Sequence, residues 1–145
     1  LRFTFSGSGV YAPDICQLSK DYEQVSYLGL IPAVDAAELT KQHKWALLPI
    51  DDEVTKYAFP SKSSGYALSG AGILAVCGKN TSVAKWVVEK NVGVICEPSH
   101  QALVNCFFSL ENKEDVKFSL SSNFRNNFQF SYFSKILLTL VNLQG

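Results

Sequence analysis

The sequence predicts a doubly wound α/β domain: a mainly parallel sheet with helices on both faces. Three observations predict it. Five short β-like stretches recur along the chain, at residues 2–6, 25–28, 45–50, 73–77 and 94–96. Segments with helical periodicity fill most of the gaps, and strand–helix alternation is the signature of a parallel sheet. Several of the strands are continuous apolar runs, as expected where helices cover both faces. At 145 residues, with 47% hydrophobic and 18% charged residues, the chain suits one domain with a sizeable core and not a disordered segment.

The elements follow in order. Residues 2–6 alternate and end in Gly7-Ser8-Gly9, a strand running into a tight turn. A second strand at 25–28 is closed by Gly29. Asp35-Ala36-Ala37-Glu38 has the form of a capping box, predicting a helix to about His43. The run W-A-L-L-P-I at 45–50 is a strand expected to be buried on both faces. Two more such runs, 73–77 and 94–96, are bordered by glycine. Between them, residues 81–91 carry Val83, Trp86, Val87 and Lys90 at helical spacing and stop at Asn91 or Gly93. Ser99 caps a helix with Leu103, Cys106, Phe107 and Leu110 on one face. A helix with Val116, Leu120 and Phe124 follows, then one from about 131 to 143. No strand separates these two, so they are expected to lie across the sheet or leave the domain. The last carries Phe133, Ile136, Leu137, Leu140 and Val141 as a stripe, with Leu138 and Leu143 off it. So apolar a helix needs a second partner: these 145 residues alone are expected to self-associate through it or to leave it displaced, the alternative being that Val116, Leu120 and Phe124 cover both its sides.

Composition excludes several classes. Thirteen basic residues balance thirteen acidic ones, without the basic excess of a nucleic-acid binder. The apolar run around Ile136 to Val141 is too short to span a bilayer. Arg2 is followed by alternating polar residues and not by a signal-peptide core. A cytoplasmic setting, if need be at the cytoplasmic face of a membrane, is the expectation. Cys16, Cys77, Cys96 and Cys106 form no C-x-x-C and read as core thiols. His43 and His100 have no partner at ligand spacing, so no metal site is expected. The absence of Met and a start inside a strand read as a piece of a longer protein whose first strand and helix precede Leu1.

Ligands of open α/β sheets bind at the carboxyl ends of the strands. Three loops there carry information. Gly7-Ser8-Gly9-Val10-Tyr11-Ala12 fits G-x-G-x-x-[G/A], a dinucleotide fingerprint when an acid ends the next strand. That strand ends Leu28-Gly29-Leu30-Ile31-Pro32, with no acid before Asp35, and Pro13 predicts a short helix after the glycines. A nicotinamide-dependent oxidoreductase is therefore a minor reading, beside a plain turn or a loop facing another phosphorylated ligand. Asp51-Asp52-Glu53 could hold Mg²⁺, though a solvated loop is the commoner outcome. The third loop is Phe59-Pro60-Ser61-Lys62-Ser63-Ser64-Gly65. Proline opens a helix there, and hydroxyls, free N–H groups, the helix dipole and a lysine together make an anion site; on these residues alone an ordinary short helix with serine caps is the equal alternative.

At this loop a resemblance becomes specific. P-S-K-x-x-x-Y-x-x-x-G before an apolar strand resembles the donor-binding motif of family 4-like glycosyltransferases of the GT-B fold, which have two Rossmann-like domains. The order F-x-G-x-G, V-x-Y-L-G-x-I-P, A-x-L-T, A-L-L-P, F-P-S-K, N-T-x-V-A-K, G-V-I-C-E-P is similar to the C-terminal half of that family over nearly the whole chain. Phe128-Gln129-Phe130-Ser131 resembles the stretch that opens its last helix, which crosses back to the N-terminal domain.

The resemblance implies a nucleotide-sugar donor as substrate, no further cofactor, and a glycan, lipid-linked or protein acceptor held mostly by another domain. It implies that Ser61, Lys62, Ser63 and Ser64 hold the donor diphosphate, bordered by Gly7 and Gly9. Lys62 would act in catalysis by stabilising the leaving diphosphate. Gly29, Leu30 and Ile31 would line the nucleobase, and Ala58 and Phe59 the donor sugar. Retention of anomeric configuration is implied by the resemblance alone. One position departs: the family's ribose-binding glutamate, just before the tyrosine, is here Gly65, and its earlier acidic partner is Tyr57. Losing a charged hydrogen bond worth about 1.5–3 kcal/mol weakens binding roughly 10- to 100-fold. A non-catalytic partner subunit that keeps the fold is therefore the alternative expectation.

Overall fold

The computed structural model describes residues 1–111 and, beyond them, 118, 124, 125, 131, 134, 135, 138 and 139. Across 1–111, strands and helices alternate without exception. The order is β1 (Phe3–Phe5), α1 (Ala12–Asp21), β2 (Val25–Tyr27), α2 (Ala33–Lys41), β3 (Trp45–Pro49), α3 (Lys62–Ser69), β4 (Gly72–Val76), α4 (Ser82–Glu89), β5 (Gly93–Cys96) and α5 (His100–Glu111). A single 3₁₀ turn, Val54–Lys56, lies between β3 and α3.

Every strand pairing is parallel, but the expected single sheet is divided in two. β1 pairs with β2, Phe3 opposite Val25, and β3-β4-β5 form a second sheet, Ala46 opposite Ile73 and Ile73 opposite Gly93. A parallel ladder needs strands about 4.8 Å apart, and no backbone hydrogen bond joins β1 to β3. What joins them is a side-chain bond: His43, just before β3, lies 3.0 Å through Nε2 from the Thr4 Oγ1 of β1. This division also corrects the reading of β3 as buried on both faces. With one ladder partner it is an edge strand, so Ala46 and Leu48 are buried while Leu47 (37% exposed) and Pro49 are not. β4, paired on both sides, is buried at all five positions.

Two helix starts differ from the sequence reading. α2 begins at Ala33, two residues before Asp35, with extended Pro32 at its N-cap and no side-chain cap. Proline is preset for entering a helix, and Asp35 in the first turn favours the dipole without capping it. Pro13 does not shorten α1, which runs ten residues. It stands in the first turn, where its missing N–H has no intrahelical acceptor to lose. Ser99 and Asn91 fall at helix ends as expected, and Thr81, read as the first helical residue, is instead the cap of α4. The Thr81 Oγ1 accepts the Ala84 N–H at 3.1 Å, the Ser99 Oγ accepts the Ala102 N–H at 3.2 Å, and Asn91 leaves α4 in the left-handed region at φ 49°.

Alternation along β4 builds a core on each face of the three-stranded sheet. Ile73 and Ala75 pack with Leu48, Cys77, Ala67 of α3 and Val83, Ala84 and Val87 of α4. Leu74 and Val76 face the other way, against Leu103, Cys106, Phe107 and Leu110 of α5. Helices thus cover both faces. Cys16, Cys77, Cys96 and Cys106 are free thiols.

The two helices expected after residue 111, and the Phe128 to Phe130 stretch, lie outside the described residues apart from single positions. Phe118 meets Trp45 edge-on with centroids 5.3 Å apart, and buried Phe124 packs on Trp86. Leu138, placed off the apolar stripe, is exposed; the stripe itself is outside the described residues. No helix among the described residues is long and apolar enough to cross a membrane.

Candidate functional site

The carboxyl ends of β1 and β2 are locked to one another. Gly7 and Gly9 sit at φ 130° and 155°, where only glycine turns without strain. The Gly7 N–H donates to the Gly29 carbonyl at 2.7 Å, and the Tyr27 hydroxyl donates to the Gly7 carbonyl at 2.8 Å. Gly7, Gly9 and Gly29 each face open space where a side chain would stand. Leu30 is exposed and Ile31 half-buried beside them. The first loop and the Gly29-Leu30-Ile31 stretch are therefore one open cluster. No acid ends β2; Asp35 lies inside α2.

A second cluster forms where α3 begins. Ser61 is the N-cap residue, but its backbone is already helical (φ −59°, ψ −28°) and its side chain makes no cap bond. The Ser63 hydroxyl donates to the Pro60 carbonyl at 2.6 Å and the Ser63 N–H donates to the same oxygen at 3.1 Å. Ser63 is fully buried, so its hydroxyl faces the core while Ser61 and Lys62 face outward. The Lys62 ammonium makes no ion pair among the described residues, in contrast to Lys41, Lys56 and Lys79. Gly65 is exposed with open space around it. Tyr66 is half-buried, and burial pushes its phenol up. Ala58 is exposed, and Phe59 stands edge-on to Trp86 with centroids 5.4 Å apart. Tyr57 points to solvent at 87% exposure.

The three carboxylates after β3 do not converge. The Asp51 Oδ1 accepts the Glu53 N–H at 2.8 Å, and Glu53 pairs with Lys56 at 2.7 Å. The Asp52 Oδ1 instead reaches across to accept the Gly78 N–H at 2.7 Å, tying the loop after β3 to the end of β4. Among the described residues no group of three His, Cys, Asp or Glu side chains could hold a metal ion. The same tie continues into α4, where the Ser82 hydroxyl donates to the Thr55 carbonyl at 3.0 Å. Beneath it lies Cys77. Burial pushes its thiol up, the Thr81 hydrogen bond pulls it down, and the Asp52 and Glu97 carboxylates add to the rise.

The structure thus gathers Gly7, Gly9, Gly29, Leu30 and Ile31 in one place and Ala58, Phe59, Ser61, Lys62, Ser64 and Gly65 in another. No hydrogen bond or ring contact between described residues links the two groups. α2, which starts directly after the first, packs against α3 of the second. Sequence reasoning missed Asp52 as a clamp, since its partner is 26 residues away. It also missed a cavity of about 330 Å³ between β1, β3 and α5, lined by Phe3, Trp45, Leu47, Leu74 and Phe107. None of the expected site residues borders it.

Comparison with family models, with curated proteins and with solved structures finds no match to this chain. The parallel β-α-β units and the two helical layers are consistent with a Rossmann-like fold.

Proposed function

We propose that this chain is the donor-binding domain of a glycosyltransferase, taking a nucleoside-diphosphate sugar. The observation that carries the reading is the amino end of α3. There the P-S-K motif presents an exposed lysine without an ion-pair partner among the described residues, at a helix N-terminus. Helix N–H groups and the dipole favour a phosphate at that end, and a lysine adds a full charge. As the glycosidic bond to the diphosphate breaks, negative charge grows on the leaving oxygen. Lys62 is the group that stabilises it, with no metal required by the donor set. The Ser61 and Ser64 hydroxyls, which have no side-chain bond among the described residues, supply further donors. Ser63 serves by shaping the turn, because its hydroxyl and N–H are already spent on Pro60. The Gly7–Gly9 and Gly29–Ile31 loops, open at the ends of β1 and β2, are the places for phosphate or nucleobase.

One observation favours a second reading, a partner subunit without transfer activity. Gly65 has room for the carboxylate that would hold a ribose, and none is there.

Calorimetric titration of uridine and other nucleoside diphosphates tests the main reading. Lys62→Ala is expected to weaken binding about 10- to 100-fold, the value of a charged hydrogen bond. Equal affinity in the variant removes Lys62 from the phosphate site.

A further inference from the structure

We propose that Cys96 and Cys106 form a redox switch: a low-molecular-weight disulfide such as oxidised glutathione joins them, and a thiol reductant parts them. The switch stands on the packing of α5 against β5 and is independent of the donor-site reading. Side chains alternate between the faces of a strand, so Val94 and Cys96 share the face of β5 that meets α5. On α5, Leu103, Cys106, Phe107 and Leu110 pack against that face. The two sulfurs therefore lie in one core layer, and their thiols are in hydrogen-bond contact. The Cys96 thiol also donates to the Glu97 carbonyl at 3.4 Å. The other two cysteines stand elsewhere: Cys77 belongs to the core on the opposite face of the sheet, and Cys16 lies on α1 beside β2.

Exposure orders the steps. Cys96 is buried and Cys106 is half-buried, so an oxidant meets Cys106 first. The Cys106 thiolate attacks one sulfur of oxidised glutathione, whose S–S bond breaks and releases one glutathione thiolate. The Cys96 thiolate then attacks the Cys106 sulfur of that mixed disulfide and expels the second glutathione. The two cysteine protons end on the two glutathione thiols, so one disulfide is formed and one is reduced. Burial holds the Cys96 thiol up, and the second attack therefore quickens as pH rises.

Closing draws sulfurs already in contact to ~2 Å and fixes α5 on the end of β5. The loop so closed holds Glu97, Pro98 and the Ser99 cap. Glu97 pairs at 3.5 Å with Lys79, in the loop after β4, so the bond ties α5 to the carboxyl edge of the three-stranded sheet. That edge is where open α/β sheets take their ligands. Reduced, α5 is held there by packing alone and opens on its own; oxidised, it opens only with the strand.

The experiment incubates the 145-residue protein, folded, with oxidised or reduced glutathione. Oxidation is expected to lower the free thiols from four to two, the pair being lost together. Proteolysis after Glu97 separates the two cysteines, so their peptides are expected to stay linked until a reductant is added. Amide hydrogen exchange in α5 is expected to slow at least about tenfold in the oxidised protein. Cys106→Ser is expected to leave Cys96 unreacted, Cys96→Ser to stop at a mixed disulfide on Cys106, and Cys16→Ser to close as the parent does. Cys106→Ser and the peptide map decide the matter even where Cys96→Ser fails to fold. Four thiols surviving excess oxidised glutathione overturn the proposal, as does a mixed disulfide on Cys106 that never closes in the parent protein. So does a bond through Cys16 or between two chains, or closure that leaves α5 exchange unchanged.

Discussion

Asp52 stands in a run of three carboxylates that look alike in sequence, yet its Oδ1 accepts a backbone N–H from the far end of β4 while its neighbours bond within their own turn. Gly78 allows this, because a Cβ there would collide with the Asp52 carboxylate. Asp52→Ala is expected to cost about 1 kcal/mol, reduced from the buried value because the group is exposed, and Asp52→Asn to cost less. Urea unfolding of the three proteins measures the difference. Gly65 offers a cleaner separation of stability from chemistry. It is exposed within α3, at ordinary φ and with open space, so Gly65→Ala is expected to stabilise by about 0.5–1 kcal/mol through helix propensity alone. Gly65→Glu is expected to add binding: under the donor-site reading it tightens a nucleotide sugar by up to about 10- to 100-fold, and Gly65→Ala does not. If the glutamate changes nothing and no donor is transferred or hydrolysed, the partner-subunit reading takes its place.

Among the elements, α4 shows how one residue can close several connections. The Thr81 Oγ1 accepts from the Ala84 N–H, and its hydroxyl donates at 2.9 Å to the Gly78 carbonyl and at 3.3 Å to the Cys77 sulfur. It caps the helix and holds the end of β4 together. Thr81→Ala is expected to cost about 1–2 kcal/mol, toward the upper end for a cap because the partners are buried, while Thr81→Ser keeps most of the bonds. Thermal melts of the pair give the comparison. α4, β4 and α5 were legible because their signals are local: a cap three residues from its acceptor, apolar spacing within a few turns, an apolar run of strand length. β3 was misread for the opposite reason. Its apolar run is that of a strand covered on both faces, but exposure of Leu47 and Pro49 depends on which strands stand beside it, which no local pattern states.

At the scale of the molecule, pH acts through groups buried neutral. Burial pushes the Cys77 thiol, the Cys96 thiol and the Tyr66 phenol up, with Cys106 adding to the rise at Cys96. Raised values mean that the unfolded chain loses its protons first as pH rises. The stability these groups contribute is therefore complete below the ordinary thiol range, about 8.5, and is lost as pH climbs through their folded values. Melting temperature is expected to fall from about pH 8.5 upward. Cys77→Ala is expected to be less stable at neutral pH and to fall less steeply, and melts between neutral and alkaline pH compare the two.

Taken by itself, the amino-acid sequence determined the alternation of strands and helices, the parallel α/β class, the cap at Ser99, and the glycine turns after β1 and β2. Each depends on residues within a few positions of one another, so periodicity and turn chemistry specify them. The tertiary structure decided the rest: the division between β1 and β3, the inward turn of the Ser63 hydroxyl, the clamp from Asp52 to Gly78, and the cavity beside Trp45. These depend on which distant segments meet, and an apolar residue or a carboxylate looks the same in sequence whether its partner is a neighbouring strand, a far peptide group or open space.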